Sequence, residues 1–146
     1  MRCIAGIREV LPVRRPKNLK AAKARAWRAV SAYIRQKYAE DGLAYCITCD
    51  ARMRWQDLHC GHYQHGLTYA QGDDGFYLLE ENLHPQCSGC NTFRGGMLDK
   101  YTLYMLDHYG REMIEELQSL RHKPLKMKID DFWRIEQRYA RQDESS

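Results

Sequence analysis

Apolar side chains recur at helical spacing early in the chain. Between residues 18 and 42 they fall three or four positions apart, which is the period of one face of an α-helix. Asn18 precedes the first of them and is a good N-cap, and Gly42 is a typical stop signal. We therefore predict an amphipathic helix over 18–42, basic on its exposed side, with these apolar positions: Leu19, Ala22, Ala26, Val30, Tyr33, Ile34 and Tyr38.

The pattern changes over residues 43–97. This stretch holds five of the six cysteines, most of the glycines and histidines, and several turn clusters. Short apolar pieces at 58–63 and 76–79 predict two brief strands around a loop. We expect the compact core of the protein here.

Helical periodicity returns in the last third. Apolar runs predict helices from 98 to 110, from 113 to 120 and over about 129–139. Aromatic side chains on the helical faces, Trp27 included, are expected to lie in the core. Residues 1–17 are basic and interrupted by proline, which indicates an arm or short strand, and the tail 142–146 is expected to fray. The whole pattern predicts one α+β domain: arm 1–17, helix 18–42, core 43–97 and helical cap 98–141.

The composition is that of an ordinary globular protein. The chain has 146 residues, of which 44% are hydrophobic and 29% charged. No apolar run approaches the roughly 20 residues that span a bilayer. Arg2, Arg8 and Arg14 interrupt the N-terminal stretch, which excludes a signal peptide. We expect a soluble, intracellular protein that has no membrane partner.

The charge is unevenly divided. Residues 1–37 hold eleven Lys or Arg against one acid, a net charge of +10, while residues 38–146 have a net charge of −6. A basic end on an acidic body indicates a polyanionic partner, and a solvated basic face is the alternative. If the partner is DNA, these side chains are the candidate contacts: Arg14, Arg15, Lys17, Lys20, Lys23 and Arg28.

The cysteines indicate a metal site. Thirty-seven residues separate two C-x-x-C pairs, Cys46 with Cys49 and Cys87 with Cys90. Four thiolates from two tight turns complete the tetrahedral sulfur site that zinc prefers. Disulfides and redox pairs are the alternatives, and the missing secretion signal and the duplicated motif disfavour them. A four-thiolate shell is closed, so we predict a structural zinc ion, with Cys3 a free thiol and Cys60 a buried small residue.

Histidines and asparagines lie beside these pairs in a set order. Gly61 and His62 follow the first pair, Asn82 and Gln86 precede the second, and Asn91 follows it directly. This order, C-x-x-C, G-H, N-x-x-x-Q-C-x-x-C-N, resembles the HNH (ββα-metal) nucleases in their zinc-containing form. It most resembles the phage NinG/Rap recombination endonucleases and is similar to Holliday-junction resolvases of the endonuclease VII type. The resemblance covers about residues 30–110 and implies a ββα-metal core.

The resemblance implies three catalytic positions. His62 matches the general base that activates water against the scissile phosphorus, a step that suits the near-neutral pKa of imidazole. Asn82 matches the residue that ties the loop to the strand and orients the base, and a turn or cap asparagine is the structural alternative. Asn91 matches the final ligand of the catalytic ion, and its oxygen suits Mg²⁺ or Mn²⁺.

The chain departs from the related nucleases at Gly61. They often have Asp or His directly before the base as a second metal ligand. The nearest replacements are His59, our candidate ligand, His65 and Asp57, with water as the alternative. Arg94, expected one helical turn past the last metal position, is a candidate phosphate contact or a surface side chain.

Three functions compete. The leading hypothesis is a metal-dependent endonuclease on branched recombination intermediates such as Holliday junctions or D-loops, and the branch preference comes from the resemblance alone. The others are an HNH nuclease that nicks duplex DNA and a zinc protein that binds DNA without cleaving it. A homodimer would suit paired incision, and the apolar faces of the terminal helices could form its interface or belong to the core. The resemblance also implies a phage or prophage protein in the cytoplasm of a bacterial host.

Overall fold

The computed structural model describes residues 13–140. Within them α1 (Leu19–Lys37) is followed by β1 (Leu43–Tyr45), β2 (Arg52–Arg54), β3 (His59–His62), β4 (Tyr69–Gly72), β5 (Gly75–Leu78) and β6 (Leu83–Gln86). Helices α2 (Leu98–His108), α3 (Arg111–Leu120) and α4 (Ile129–Ala140) complete the described part. This mixture confirms the predicted α+β class. The start of the predicted arm, with Cys3, and the tail expected to fray lie outside the described residues.

Helix α1 begins as predicted and ends early. The Asn18 Oδ1 accepts a hydrogen bond from the Ala21 backbone N–H at 2.8 Å, which confirms the N-cap. The helix ends at Lys37, several residues before the predicted boundary. Asp41 and Gly42 both have left-handed backbones, with φ of 52° and 78°, and they turn the chain into β1. A helix cannot continue through that turn.

The strands form three antiparallel pairs. The apolar pieces at 58–63 and 76–79 do contain strands β3 and β5, but these two strands do not pair with each other. Strand β5 pairs with β4 across a tight turn whose register sets Gly72 opposite Gly75. Strand β3 pairs with β6, with Gly61 opposite His84. Because a tight turn joins β4 to β5, these two strands pair with each other. Strand β3 pairs instead with β6, which contains a proline and does not alternate between apolar and polar residues.

Two hydrophobic clusters flank β3 and β6. Helices α1 and α4 pack together over one cluster, in which Ala26, Val30 and Phe132 are buried. Helices α2 and α3 cover the other through Tyr101 and Leu117. The apolar faces of the terminal helices therefore pack against each other within one chain. Within residues 13–140, no helix is both long and apolar enough to cross a membrane.

A buried hydrogen-bond chain ties α2 to these strands. The Tyr101 hydroxyl donates to the Gly61 carbonyl at 3.0 Å, so its oxygen accepts from His84 Nδ1 at 2.7 Å. His84 Nε2 then accepts from the Tyr109 hydroxyl at 2.9 Å. His84 is fully buried, and burial, with the nearby charges of Lys37 and other groups, lowers its pKa to about 3. The neutral imidazole of His84 thus acts through Tyr101 to hold the backbone of Gly61, directly before His62.

Candidate functional site

The four paired cysteines come together at one end of the β3–β6 pair. Their Sγ atoms all lie within 4.8 Å of one another: Cys46, Cys49, Cys87 and Cys90. The Sγ atoms of Cys49 and Cys87 are 3.7 Å apart. Two sulfurs in a tetrahedral zinc shell with bonds of about 2.3 Å lie about 3.8 Å apart, whereas a disulfide needs about 2.05 Å. The cluster can therefore hold a zinc ion, and its four thiolates would fill the coordination shell.

His62 ends strand β3 with its side chain half-buried. Its Nε2 lies 2.9 Å from the Thr68 hydroxyl, and its ring stacks on Trp27 with centroids 5.1 Å apart. Trp27, expected in the core, thus lies against the candidate base. If Nε2 carries the proton and donates to Thr68, Nδ1 is the basic nitrogen. Nδ1 makes no hydrogen bond to any residue in the described range, so it is free to accept a proton.

The environment keeps this imidazole neutral. Burial, together with the charge of the neighbouring His65, lowers the pKa of His62 to about 4. A lowered pKa means that the free base predominates near pH 7. A phosphate bound beside the ring would favour the protonated form and raise the pKa toward the range in which a general base works best.

Asn82 holds the loop that joins His62 to Thr68. The side chain is fully buried, and its Oδ1 accepts from the Gln64 N–H at 2.7 Å. Its Nδ2 donates to the carbonyls of Gln64 and Leu67 at 3.0 and 2.6 Å. Since Thr68 follows Leu67 directly, Asn82 fixes the position of the hydroxyl that contacts the His62 ring. These contacts connect Asn82, directly before β6, to the loop between β3 and β4.

Asn91 and His59 lie side by side. Asn91 is in a five-residue π-helical turn (Gly89–Phe93) after β6, and its N–H donates to the Cys87 carbonyl at 2.9 Å. Its Nδ2 is 3.2 Å from His59 Nδ1 on β3. Turning the amide would direct its oxygen toward the same point as the imidazole nitrogen. The pair offers one oxygen and one nitrogen donor, which Mn²⁺ or Mg²⁺ accepts in a shell completed by water and phosphate oxygens.

His62 and Asn91 open into one cleft of about 820 Å³. None of the described residues that line it is acidic. The lining is Tyr63, Gln64, His65, Gly95, Gly96, Leu98, Thr102, Gln118, Arg121 and His122, besides His62 and Asn91. The cleft therefore combines a candidate base, a candidate metal ligand and a surface without negative charge, which a phosphodiester would tolerate.

The side chain of Gln86 explains why residue 61 is glycine. A Cβ added to Gly61 would lie 2.0 Å from Gln86 Oε1, a distance that no real contact reaches. Gln86 Nε2 donates to the Gly96 carbonyl at 2.9 Å and to the Thr48 hydroxyl at 3.2 Å. Because the Gly96 carbonyl can only accept, the amide nitrogen points there and its oxygen points at Gly61. An Asp or His ligand at residue 61 would collide with this buried amide.

The basic side chains proposed for DNA binding are spread widely. Arg15 pairs with Asp130 at 2.6 Å. Arg94 is exposed at the end of the π-helical turn, where its N–H donates to the Gly89 carbonyl at 3.0 Å, and it lies outside the lining of the cleft. The remaining candidates are all exposed on α1 or just before it: Arg14, Lys17, Lys20, Lys23 and Arg28.

Sequence reasoning missed several residues of the site. Thr68, Gln64 and Arg121 carry no motif that would single them out. Trp27 was recognised only as one of several helical aromatics. Arg121 comes from the C-terminal end of α3, 30 residues beyond Asn91, and only the packing of α3 beside the loop brings it to the cleft.

Comparison with known proteins gives the family. The sequence model of the bacteriophage lambda NinG protein matches residues 12–144. Protein ninG of Escherichia phage 933W is 31% identical over 94 residues, which are 64% of this chain and 43% of that protein. Protein ninG of Escherichia phage lambda is also 31% identical over 94 residues, and the matched stretch is 42% of that protein. Protein ninG of Salmonella phage P22 is 30% identical over 94 residues, again 64% of this chain and 42% of that protein.

The match to these curated relatives is partial in length. The chain spans less than half of each of them. No solved structure matches the chain. The family model, by contrast, covers nearly the whole sequence. This protein therefore belongs to the NinG family of bacteriophage proteins.

Proposed function

We propose that this chain is a metal-dependent DNA endonuclease of the HNH type that hydrolyses phosphodiester bonds. The observation that carries the proposal is the orientation of His62. The Thr68 hydroxyl meets Nε2, Asn82 holds the loop that carries Thr68, and Nδ1 has no hydrogen-bond partner among the described residues. His62 and Asn91 line the same cleft. A free, neutral imidazole nitrogen beside a candidate metal ligand is what base-catalysed hydrolysis of a phosphodiester requires.

The surrounding elements support the HNH assignment. Strands β3 and β6 are antiparallel, and the chain then turns through Cys90 and Asn91 toward helix α2. This order of two strands and a helical segment, with the base at the end of the first strand, supports a ββα-metal core. The zinc ion would fix the turn that carries Asn91 to the turn after β1.

In the proposed reaction His62 removes a proton from water. The Nδ1 accepts that proton, the water oxygen forms a bond to phosphorus, and the bond from phosphorus to the 3′-oxygen breaks. The departing oxygen takes a proton from solvent. His59 and Asn91 would hold the divalent ion, Mg²⁺ or Mn²⁺, which supplies stabilisation of negative charge on the phosphate when it is bound.

The substrate class and setting are part of the proposal. We infer DNA, in branched form, as the substrate, because the motif order resembles recombination endonucleases. Duplex nicking is an outcome that the experiment below separates from it. Action as a homodimer and a cytoplasmic location in a bacterial host, where the gene is carried by a phage or prophage, complete the proposal. These points rest on the resemblance and on membership of a phage family.

A non-catalytic zinc protein that binds DNA is the second candidate. The observation that favours it is Gly61, where Gln86 excludes a ligand side chain. In addition, no carboxylate among the described residues lines the cleft. This candidate predicts tight DNA binding without cleavage under any divalent metal.

Cleavage assays with His62→Ala test the proposal. A labelled four-way junction and a linear duplex of equal length are incubated with Mg²⁺, with Mn²⁺ and without divalent ion. We expect metal-dependent cutting by the wild type, faster on the junction, and a loss of at least about a hundredfold in His62→Ala, because the general base is removed. Binding of the uncut DNA should change little.

The matched control is His108→Ala, which removes an exposed histidine on α2 outside the cleft. It should cut at the wild-type rate. Each protein is checked for one zinc ion per chain and for its melting temperature. Equal rates for His62→Ala and the wild type, or no cutting by a wild type that binds DNA, would refute the endonuclease.

A further inference from the structure

A second cleft lies next to the candidate active-site cleft. The two share His65 and Arg121, and the second has a volume of about 400 Å³. It passes the loop at 65–69 and the end of α3 and reaches Lys23 on α1. We call the two adjacent clefts together, from Asn91 to Lys23, the long groove.

The long groove is positively charged. Acidic residues make up 19 of the 146 residues of the chain, yet none of the described residues that line either cleft is Asp or Glu. Lys23, Arg121 and Lys123 line it, with the imidazoles of His65 and His122. A continuous groove lined by one sign of charge attracts and concentrates a polyanion.

Arg121 occupies the point where the two clefts meet. It is the C-cap residue of α3, and its Nη1 donates to Gln64 Oε1 at 3.3 Å. Gln64 is held in turn by the Asn82 side chain through its own backbone N–H and carbonyl. A neutral amide orients the guanidinium without neutralising it, unlike the carboxylate that pairs with Arg15. The remaining N–H donors suit a phosphate, which guanidinium binds in bidentate fashion.

The shape of the groove favours a polynucleotide strand over a free phosphate ion. Leu19, Leu125 and Phe132 give the second cleft an apolar part beside its cations. A strand presents phosphates at intervals with apolar faces of sugar and base between them, so it matches alternating charged and apolar lining. An inorganic phosphate would use the cations alone.

We propose that one strand of the nucleic acid lies along the long groove, with Arg121 bound to a phosphate beside the scissile one. Lys23 and Lys123 then bind phosphates farther along the same strand. The identity of the ligand rests on the proposed function. This path moves the phosphate contact from Arg94, where the sequence placed it, to the end of α3.

Binding measurements on Arg121→Ala test the path. Fluorescence anisotropy with a labelled single strand and its duplex is recorded from 50 to 200 mM salt without added divalent ion, so cleavage does not interfere. We expect Arg121→Ala to bind about five- to tenfold more weakly near 0.1 M salt and its log–log salt slope to fall by about 0.7 to 0.9, because one phosphate contact is lost. Lys123→Ala should show a loss of the same kind.

The matched control is Arg111→Ala, at the opposite end of α3, where Arg111 pairs with Glu115 at 2.8 Å. It should bind like the wild type. If Arg121→Ala binds as tightly as Arg111→Ala while its melting temperature is unchanged, the path is wrong even if the wild type cleaves DNA. If Arg121→Ala weakens binding but neither the wild type nor any variant cleaves DNA, the proposed path is supported and the proposed endonuclease activity is refuted.

Discussion

At the scale of single residues, the proposed hydrolysis depends on which nitrogen of His62 is free. Thr68 supplies a hydroxyl at 2.9 Å from Nε2, and nothing else in the described chain takes that role. A hydroxyl can donate or accept, so the proton on Nε2 is favoured only when Thr68 accepts. Trp27 covers one face of the ring and restricts its rotation. Thr68 is therefore a positioning residue that acts through His62.

Thr68→Val should slow cleavage while DNA binding stays within about twofold. Valine keeps the shape of threonine but leaves Nε2 without an acceptor, so a fraction of the molecules hold the wrong tautomer. We expect kcat to fall by about tenfold or more, since oriented general-base catalysis contributes about 100- to 10,000-fold. The pH dependence of kcat should also shift. Thr68→Ser keeps the hydroxyl and should restore most of the rate; equal rates for the valine and serine variants would contradict the role.

At the scale of elements, the approach of β3 to β6 is set by one glycine. Gln86 reaches across from β6, fills the space beside Gly61 and connects it to Thr48 in the first cysteine turn and to Gly96 after the second. The same amide thus contacts the strand that carries His62 and both segments of the zinc cluster. A side chain at residue 61 would move these segments relative to one another.

Gly61→Ala should therefore destabilise the fold. The added methyl would overlap Gln86 Oε1, and overpacking of this kind costs about 1–3 kcal/mol of unfolding free energy. Urea melts measure the loss. Gly89→Ala is the matched control, because its added Cβ would meet nothing nearer than Cys87 Sγ at 3.8 Å. Combining Gly61→Ala with Gln86→Ala should recover part of the loss, and strict additivity of the two changes would contradict the proposed clash.

At the scale of the whole molecule, two neutral histidines, the buried His84 and the half-buried His62, make stability depend on pH. His84 lies between the two helical layers with both ring nitrogens bonded to tyrosine hydroxyls. Burial lowers its pKa to about 3 and that of His62 to about 4, whereas the unfolded chain has the ordinary value near 6.5. Below pH 6.5 the unfolded state therefore binds protons that the folded state does not bind, and this lowers the free energy of unfolding.

Stability should fall as the pH drops from 7.5 to 5.5. His84 alone should account for about 1.4 kcal/mol at pH 5.5, because the unfolded chain is mostly protonated there and the folded protein is not. Urea melts at several pH values, with zinc content checked at each, measure the slope. His84→Gln cannot titrate and should show a shallower slope despite lower overall stability. A slope equal to that of the wild type would show that His84 does not remain neutral.

Local pattern predicted the helices and the zinc cluster because both depend on short-range spacing. Asn18 caps α1 as predicted, and the two C-x-x-C turns each bring two thiolates together by local geometry. The apolar pieces at 58–63 and 76–79 do contain strands, but their spacing does not indicate their partners. In the structure β3 pairs with β6, and β5 pairs with β4.

The sequence by itself determined the family, the α+β class, the four cysteines that can hold a metal ion and the order of His62, Asn82 and Asn91. Those features depend on residue type and on spacing along the chain, and both are the same in the unfolded and the folded protein. Only the tertiary structure decided that Thr68 meets His62, that Gln86 excludes a side chain at Gly61 and that Arg121 enters the cleft. These contacts join segments far apart in the chain or across a loop, and packing, which no local pattern encodes, sets which of their side chains touch.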